Sequence, residues 1–391
     1  MENNTRTILK VLWFTPGRRG RWGLPACFWG PPGVGKTTVL EHVSAQYGMK
    51  HCETLSPGER GEGAFGVVPM PTADGSRLLY PPPDWTQHFI AEGKALPVPG
   101  VVFVDEINRA APAIQPPLLG LLNELRIGGA YLGPRVRICG AANPADSAPG
   151  VYELDPAEAN RMGHFDWPAP NVQDWTTWAL GGCNGGDGEV LDADAEEKRV
   201  MGEWHEAFAV VIGRVAAFLR AYPSQLFAEP KEGDPQRSRS WPSPRTWELA
   251  TRAMAGCIVH AADEQTSDEV LTAFVGQAAA SQYAAWLSKA KLPDPVAVLD
   301  GKVKWTHDPD RLDRTVAVLA SCAALVTPRD APKRDDRTAR LWPMIGDVAK
   351  STPDVVESAA AALSQSGLGS SKEAVPVLAK LLPILKSGRN G

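Results

Sequence analysis

Two clusters in this 391-residue chain have the residue types and spacing to handle a polyphosphate. The first is Gly30-Pro31-Pro32-Gly33-Val34-Gly35-Lys36-Thr37, which fits the phosphate-cradle pattern G-x-x-x-x-G-K-[ST] at every constrained position. Glycines at 30, 33 and 35 let the backbone wrap closely enough for its N–H groups to face phosphate oxygens. Lys36 would place a positive charge on the β- and γ-phosphates, and the Thr37 hydroxyl can ligate Mg²⁺. Thr38 completes the nucleotide-contacting set. The second cluster is Asp105-Glu106, which closes the apolar run Val101-Val102-Phe103-Val104. An acidic residue at a strand end can hold a metal ion through water, and a second carboxylate beside it can act as general base on an attacking water.

These side chains need a sheet to position them. Pro25-Ala26-Cys27-Phe28-Trp29 reads as a buried strand feeding the glycine loop, and 38–45 is helical in pattern, aiming its N-terminal dipole at the phosphates. Residues 101–104 are apolar throughout, as in a parallel strand covered on both faces. A helix over 115–125 and a strand over 136–142, ending in Asn143, continue the alternation. That alternation implies an α/β parallel sheet with right-handed crossovers. Residues 48–100 carry so many prolines and glycines that long elements are excluded, apart from a helix expected over Thr86 to Gly93. A loop region this long is expected to face a substrate, a partner or a central pore. Residues 1–24 read as a lead-in ending in the basic Arg18-Arg19-Gly20-Arg21, a solvated loop or a contact for phosphate or a neighbouring subunit.

After Pro170 the pattern is helical: 171–180, 196–222, 245–262 and 266–290, then 311–327, 339–349, 353–365 and 371–386. A Gly-rich stretch, 181–188, and a polar one, 229–244, interrupt it. The expected organisation is an αβα nucleotide-binding core over 1–170, a helical lid over 171–292 and a helical extension over 293–391.

Composition narrows the function classes. The net charge of −5 lacks the basic footprint of a nucleic-acid binder. Six cysteines without a C-x-x-C pair argue against a zinc site or a disulfide framework and fit a cytoplasmic protein. The apolar run Ile8 to Phe14 is too short for a membrane span. The seven histidines form no metal-spaced cluster. The tryptophans at 167, 175, 178, 204, 241 and 247 lack interleaved basic residues, so packing is expected of them rather than base stacking.

The glycine loop, VVFVDEINRA at 101–110, APAIQPPLLGLLNE at 111–124 and GAANP at 140–144 together resemble the AAA+ ATPases, in particular their MoxR branch. The resemblance covers roughly 25–260. It implies a P-loop NTPase core with a helical lid, and it casts Lys36 and Thr37 as Walker A residues. Asp105 and Glu106 become the Walker B metal ligand and catalytic base, and Asn143 becomes sensor 1. Arg161 corresponds to the arginine finger that acts on a neighbouring subunit, although its context is Ala159-Asn160-Arg161-Met162 where L-D-R-F is usual. Arg245, in Ser243-Pro244-Arg245-Thr246, corresponds to sensor 2, reaching from the lid to the phosphates.

The resemblance further implies ATP and Mg²⁺, a hexameric ring and chaperone-like remodelling of a separate partner protein. That partner would be one with a von Willebrand factor A domain. Two alternatives are a nucleic-acid-dependent NTPase motor and a nucleotide-gated scaffold that does not hydrolyse. The acidic balance speaks against the first, and the intact Lys36, Asp105 and Glu106 speak against the second.

Overall fold

The computed structural model describes residues 2–66, 68–144, 152–181 and 190–387. The chain divides into two compact units, Met1–Met201 with Ala228–Gln277, and Gly202–Phe227 with Ala278–Gly391. The segment expected to form the lid, 171–292, is shared between them. Most of the Gly-rich stretch 181–188 lies outside the described residues, as does Cys183.

The first unit is built on five parallel strands: β1 (Ala26–Trp29), β2 (His51–Leu55), β3 (Gly100–Val104), β4 (Val136–Ala142) and β5 (Gly163–Asp166). Their order across the sheet is β5-β1-β4-β3-β2, all parallel. Every residue of β1, β3 and β4 is buried, which accounts for the unbroken apolar sequences of β1 and β3 and for that of β4 apart from Arg137. Each buried Val or Phe on such a strand contributes roughly 1.5–3 kcal/mol. Strand β5 reads Gly-His-Phe-Asp, has no apolar run, and is held by its register with β1, Ala26 opposite Gly163.

The helices of this unit are α1 (Glu2–Trp13), α2 (Lys36–Gln46), α3 (Gln115–Glu124), α4 (Pro156–Ala159), α5 (Val172–Leu180), the start of α6 (Ala193–Ala221), α7 (Pro244–Val259) and α8 (Glu264–Val275). Two local expectations are corrected. Residues 1–24 are not a mere lead-in: Ile8, Leu9, Leu12 and Trp13 of α1 are buried. Gly256 of α7 accommodates the lead-in's Thr15 hydroxyl, which would stand 2.1 Å from an added Cβ. The stretch 86–93 is not a helix either. It holds a short 3₁₀ turn, Asp84–His88, and a tight hairpin pairing Ile90–Ala91 with Lys94–Ala95. Glu92 and Gly93 take left-handed φ values of 49° and 75° there, which stop a helix.

The tryptophans divide. Trp167, Trp241 and Trp247 are buried, whereas Trp175 is exposed. In the loop-rich region, Met70–Pro71 pairs with Leu78–Leu79 in a hairpin whose Met70, Leu78 and Leu79 are exposed.

The second unit is helical: the remainder of α6, α9 (Gln277–Ala290), α10 (Pro295–Leu299), α11 (Leu312–Val326), α12 (Arg334–Val348), α13 (Glu357–Gln365) and α14 (Ala374–Ser387). The expected helix 266–290 is two helices, split at Gly276 with φ 78°. Gly213 of α6 lies so close to α11 that an added Cβ would meet the Ser321 hydroxyl at 1.9 Å. Buried Trp342 donates its indole N–H to the Leu368 carbonyl at 3.0 Å. No helix among the described residues is long and apolar enough to cross a membrane.

Candidate functional site at the carboxyl ends of the strands

Strand β1 runs straight into the glycine loop. Gly30 continues its pairing through an N–H to the Ala142 carbonyl at 3.1 Å. A Cβ at Gly30 would stand 2.2 Å from the Trp167 carbonyl oxygen, so only glycine fits this approach. Gly35 ends the loop with φ 85° and caps α2 with no side chain bonded to the first-turn N–H groups. Those donors therefore face outward at the positive end of the helix, where an anion is stabilised. Pro31, Pro32, Gly33 and Thr38 are exposed, Val34 and Thr37 half-buried.

Lys36 is buried and turned back over the loop. Its Nζ donates to the carbonyls of Gly30 at 2.7 Å and Pro31 at 3.0 Å and to Asn143 Oδ1 at 3.1 Å. Burial lowers its pKa, and the nearby Asp105 works in the opposite direction. The Thr37 hydroxyl donates to Asp105 Oδ2 at 2.6 Å, while Asp105 Oδ1 accepts from the Glu106 N–H at 2.9 Å. Asp105 is itself anchored by its N–H on the Leu55 carbonyl at 2.7 Å, where β2 ends.

Glu106 adopts a left-handed backbone, φ 52° and ψ 44°, at the entry to the 3₁₀ turn Ile107–Arg109. Its Oε1 accepts from Asn143 Nδ2 at 3.1 Å and its Oε2 from Arg109 at 2.9 Å. A non-glycine residue in that region costs of order 1–3 kcal/mol, a strain often found at functional sites. Lys36, Thr37, Asp105, Glu106 and Asn143, drawn from three chain segments, thus form one hydrogen-bonded cluster.

The oxygen donors of Thr37 and Asp105 suit Mg²⁺, which prefers oxygen and keeps most of its water. Among the described residues there is no group of three or more His, Cys, Asp or Glu side chains able to hold a metal. The open N–H groups of α2 and the buried Lys36 ammonium fit the charge of a triphosphate. Its carbonyl and amide partners are the kind of acceptors that phosphate oxygens would replace.

Arg161 and Arg245 are not brought to this cluster. Arg161 lies two residues before Gly163, whose partner Ala26 is the first residue of β1, whereas the glycine loop follows the last. The two sites therefore lie at opposite ends of a four-residue strand, about 10 Å apart along it. Arg245 lines the same cavity as Arg161 and is not beside the glycine loop of its own chain. The cause is local: the Ser243 cap of α7 donates to Asn160 Oδ1 at 2.6 Å, docking the helix start next to Arg161. Arg161 and Arg245 line a cavity of about 120 Å³ together with Arg18, Arg21, Asn123 and Glu248. Arg161 Nε donates to Asn123 Oδ1 at 2.9 Å, and Arg18 pairs with Glu248 at 2.8 Å. Burial first, and then the Arg161 and Arg18 charges, lower the Arg245 pKa.

Sequence reasoning did not single out Arg239. Its guanidinium lies 4.0 Å from the Trp29 ring centroid and pairs with Asp166 at 3.0 Å, next to the glycine loop. Trp29 in turn donates to His164 Nδ1 at 2.8 Å. The basic run at 237–239 was a signal, but nothing in it pointed to a tryptophan far away in sequence.

Comparison with known proteins bears on residues 26–163, which match the family model "ATPase family associated with various cellular activities (AAA)". No curated protein matches the chain. A solved structure from Cytophaga hutchinsonii, described as a "putative ATPase", is 12% identical with a TM-score of 0.43, covering 70% of this chain and 80% of that one. Over residues 26–163, then, the chain is similar to the AAA family of ATPases.

Proposed function

We propose that the protein hydrolyses ATP with Mg²⁺ at the Lys36–Thr37–Asp105–Glu106–Asn143 cluster and uses the cycle to remodel a partner protein. The observation that carries this reading is that Asn143 bridges Lys36 and Glu106 through the two ends of one amide. A phosphate-binding cation and a basic carboxylate are thereby held against one point. Lys36 and the α2 N–H groups bind the β- and γ-phosphates. Glu106 accepts a proton from water as the water oxygen bonds to the γ-phosphorus and the bond to the β-phosphate oxygen breaks, giving ADP and phosphate. Mg²⁺, held by Thr37 and Asp105, would neutralise the charge developing on the phosphate oxygens.

The placement of Arg161 and Arg245 away from their own loop supports an oligomer in which they serve a neighbour's triphosphate. A closed ring of six, the state implied by the MoxR-like phrase DEINRA, satisfies such a head-to-tail contact. A separate partner carrying a von Willebrand factor A domain is the substrate class that the same resemblance suggests.

The test is phosphate release by the purified protein with ATP and Mg²⁺. Turnover lost in Lys36→Ala supports the reading; a wild-type protein that binds ATP without turnover refutes it.

A further inference from the structure

Asn143 needs support that the sheet cannot give. The ladder ends at Ala142, whose carbonyl takes the Gly30 N–H, and the next residue, Pro144, has no N–H. Yet the Asn143 side chain must stand between Lys36 and Glu106, with 3.1 Å to each. Buried Asn108 supplies the missing strand partner. Its Nδ2 donates to the Asn143 carbonyl at 2.8 Å, and its Oδ1 accepts from the Asn143 N–H at 3.3 Å. A side-chain amide here does what a neighbouring peptide group does inside a sheet. Asn108 is fixed in turn, because its own carbonyl accepts from the Tyr152 N–H at 2.8 Å.

Building on the hydrolysis reading above, we propose that Asn108 is a positioning residue that aims Asn143 at the γ-phosphate side of the cluster. Asn108 lies in the turn directly after Glu106, so one short segment sets both the carboxylate and the amide that touches it. The fork requires a donor and an acceptor at one reach. Asp lacks the donor, Gln is a methylene too long, and Ser cannot bridge both backbone groups.

A mutant cycle tests this. Asn108→Ala, Asn143→Ala and the double variant are compared with wild type for phosphate release, for affinity to a fluorescent ATP analogue, and for melting temperature. Asn108→Ala is expected to lower kcat by about 100-fold, as misplacement of an aiming group does, with affinity little changed. The double variant should be no slower than Asn143→Ala alone, since both changes remove the same alignment. If Asn108→Ala fails to fold, isosteric Asn108→Asp, which keeps the acceptor and loses the donor, takes its place in the cycle. An unchanged kcat with only a lower melting temperature would overturn the proposal, as would losses that multiply in the double variant. A wild-type protein without turnover would sink the hydrolysis reading and this inference together. Normal wild-type turnover with multiplying losses would sink this inference alone.

Discussion

Arg109 and Asn143 hold the two oxygens of Glu106 separately, at 2.9 and 3.1 Å, so the carboxylate is aimed from both sides before any substrate arrives. The left-handed backbone at Glu106 turns the side chain toward those donors. In Glu106→Gln the shape persists and the proton acceptor is gone. Hydrolysis is expected to fall by about 10²–10⁴-fold while nucleotide affinity holds. Phosphate release and equilibrium binding measured on the same preparation check this, and undiminished turnover would remove Glu106 from the mechanism.

Asp105 is adjacent in sequence but has a different task, because its Oδ2 receives the Thr37 hydroxyl at 2.6 Å. Asp105→Asn should weaken nucleotide binding about tenfold in the presence of Mg²⁺ and have little effect in EDTA. Glu106→Gln should keep the full Mg²⁺ response. Equal Mg²⁺ responses in the two variants would mean that the carboxylates do not divide the work as the geometry indicates.

Much of this cluster was legible before the structure. The glycine spacing, the apolar run of β3 and the largely apolar β4 are local signals, and buried parallel strands leave little freedom in their composition. Strand β5 was invisible because Gly163-His164-Phe165-Asp166 has neither alternation nor an apolar run; its place depends on pairing with β1. Helix α1 is only weakly signalled, because its apolar stripe is short and its burial follows from packing. The position of Arg245 is hidden in the sequence for a similar reason. Nothing near Ser243 announces a hydrogen bond to Asn160, and that contact decides which end of the sheet the arginine serves.

Arg161 and Arg245 share one cavity, away from their own glycine loop. Neither Arg161→Ala nor Lys36→Ala should hydrolyse ATP alone. Mixed, they should recover a measurable share of activity, because some interfaces then pair an intact loop with an intact arginine. Arg245→Ala should complement Lys36→Ala in the same way. Activity titrated against mixing ratio reads this, and a flat zero at every ratio would refute action of the arginines on a neighbour's triphosphate.

Glu158, near Arg161, makes the stability of the fold depend on pH. It lies in α4, three residues before Arg161, and is 4% exposed, with its Oε1 lacking a hydrogen-bond partner. Burial, reinforced by the Asp155 charge and opposed by Arg161, pushes its pKa up to about 7. The folded state therefore keeps a proton that the unfolded chain gives up near pH 4.5. Stability from this group is complete below that pH and is lost as pH rises through about 7. The neutral isostere in Glu158→Gln removes the dependence. It should come close to wild type at pH 4.5 and exceed it by about 1–3 kcal/mol at pH 8, the order expected for a carboxyl shifted this far. Denaturant unfolding at the two pH values measures the difference. Parallel curves for the two proteins would show that Glu158 ionises in the fold as freely as it does in the unfolded chain.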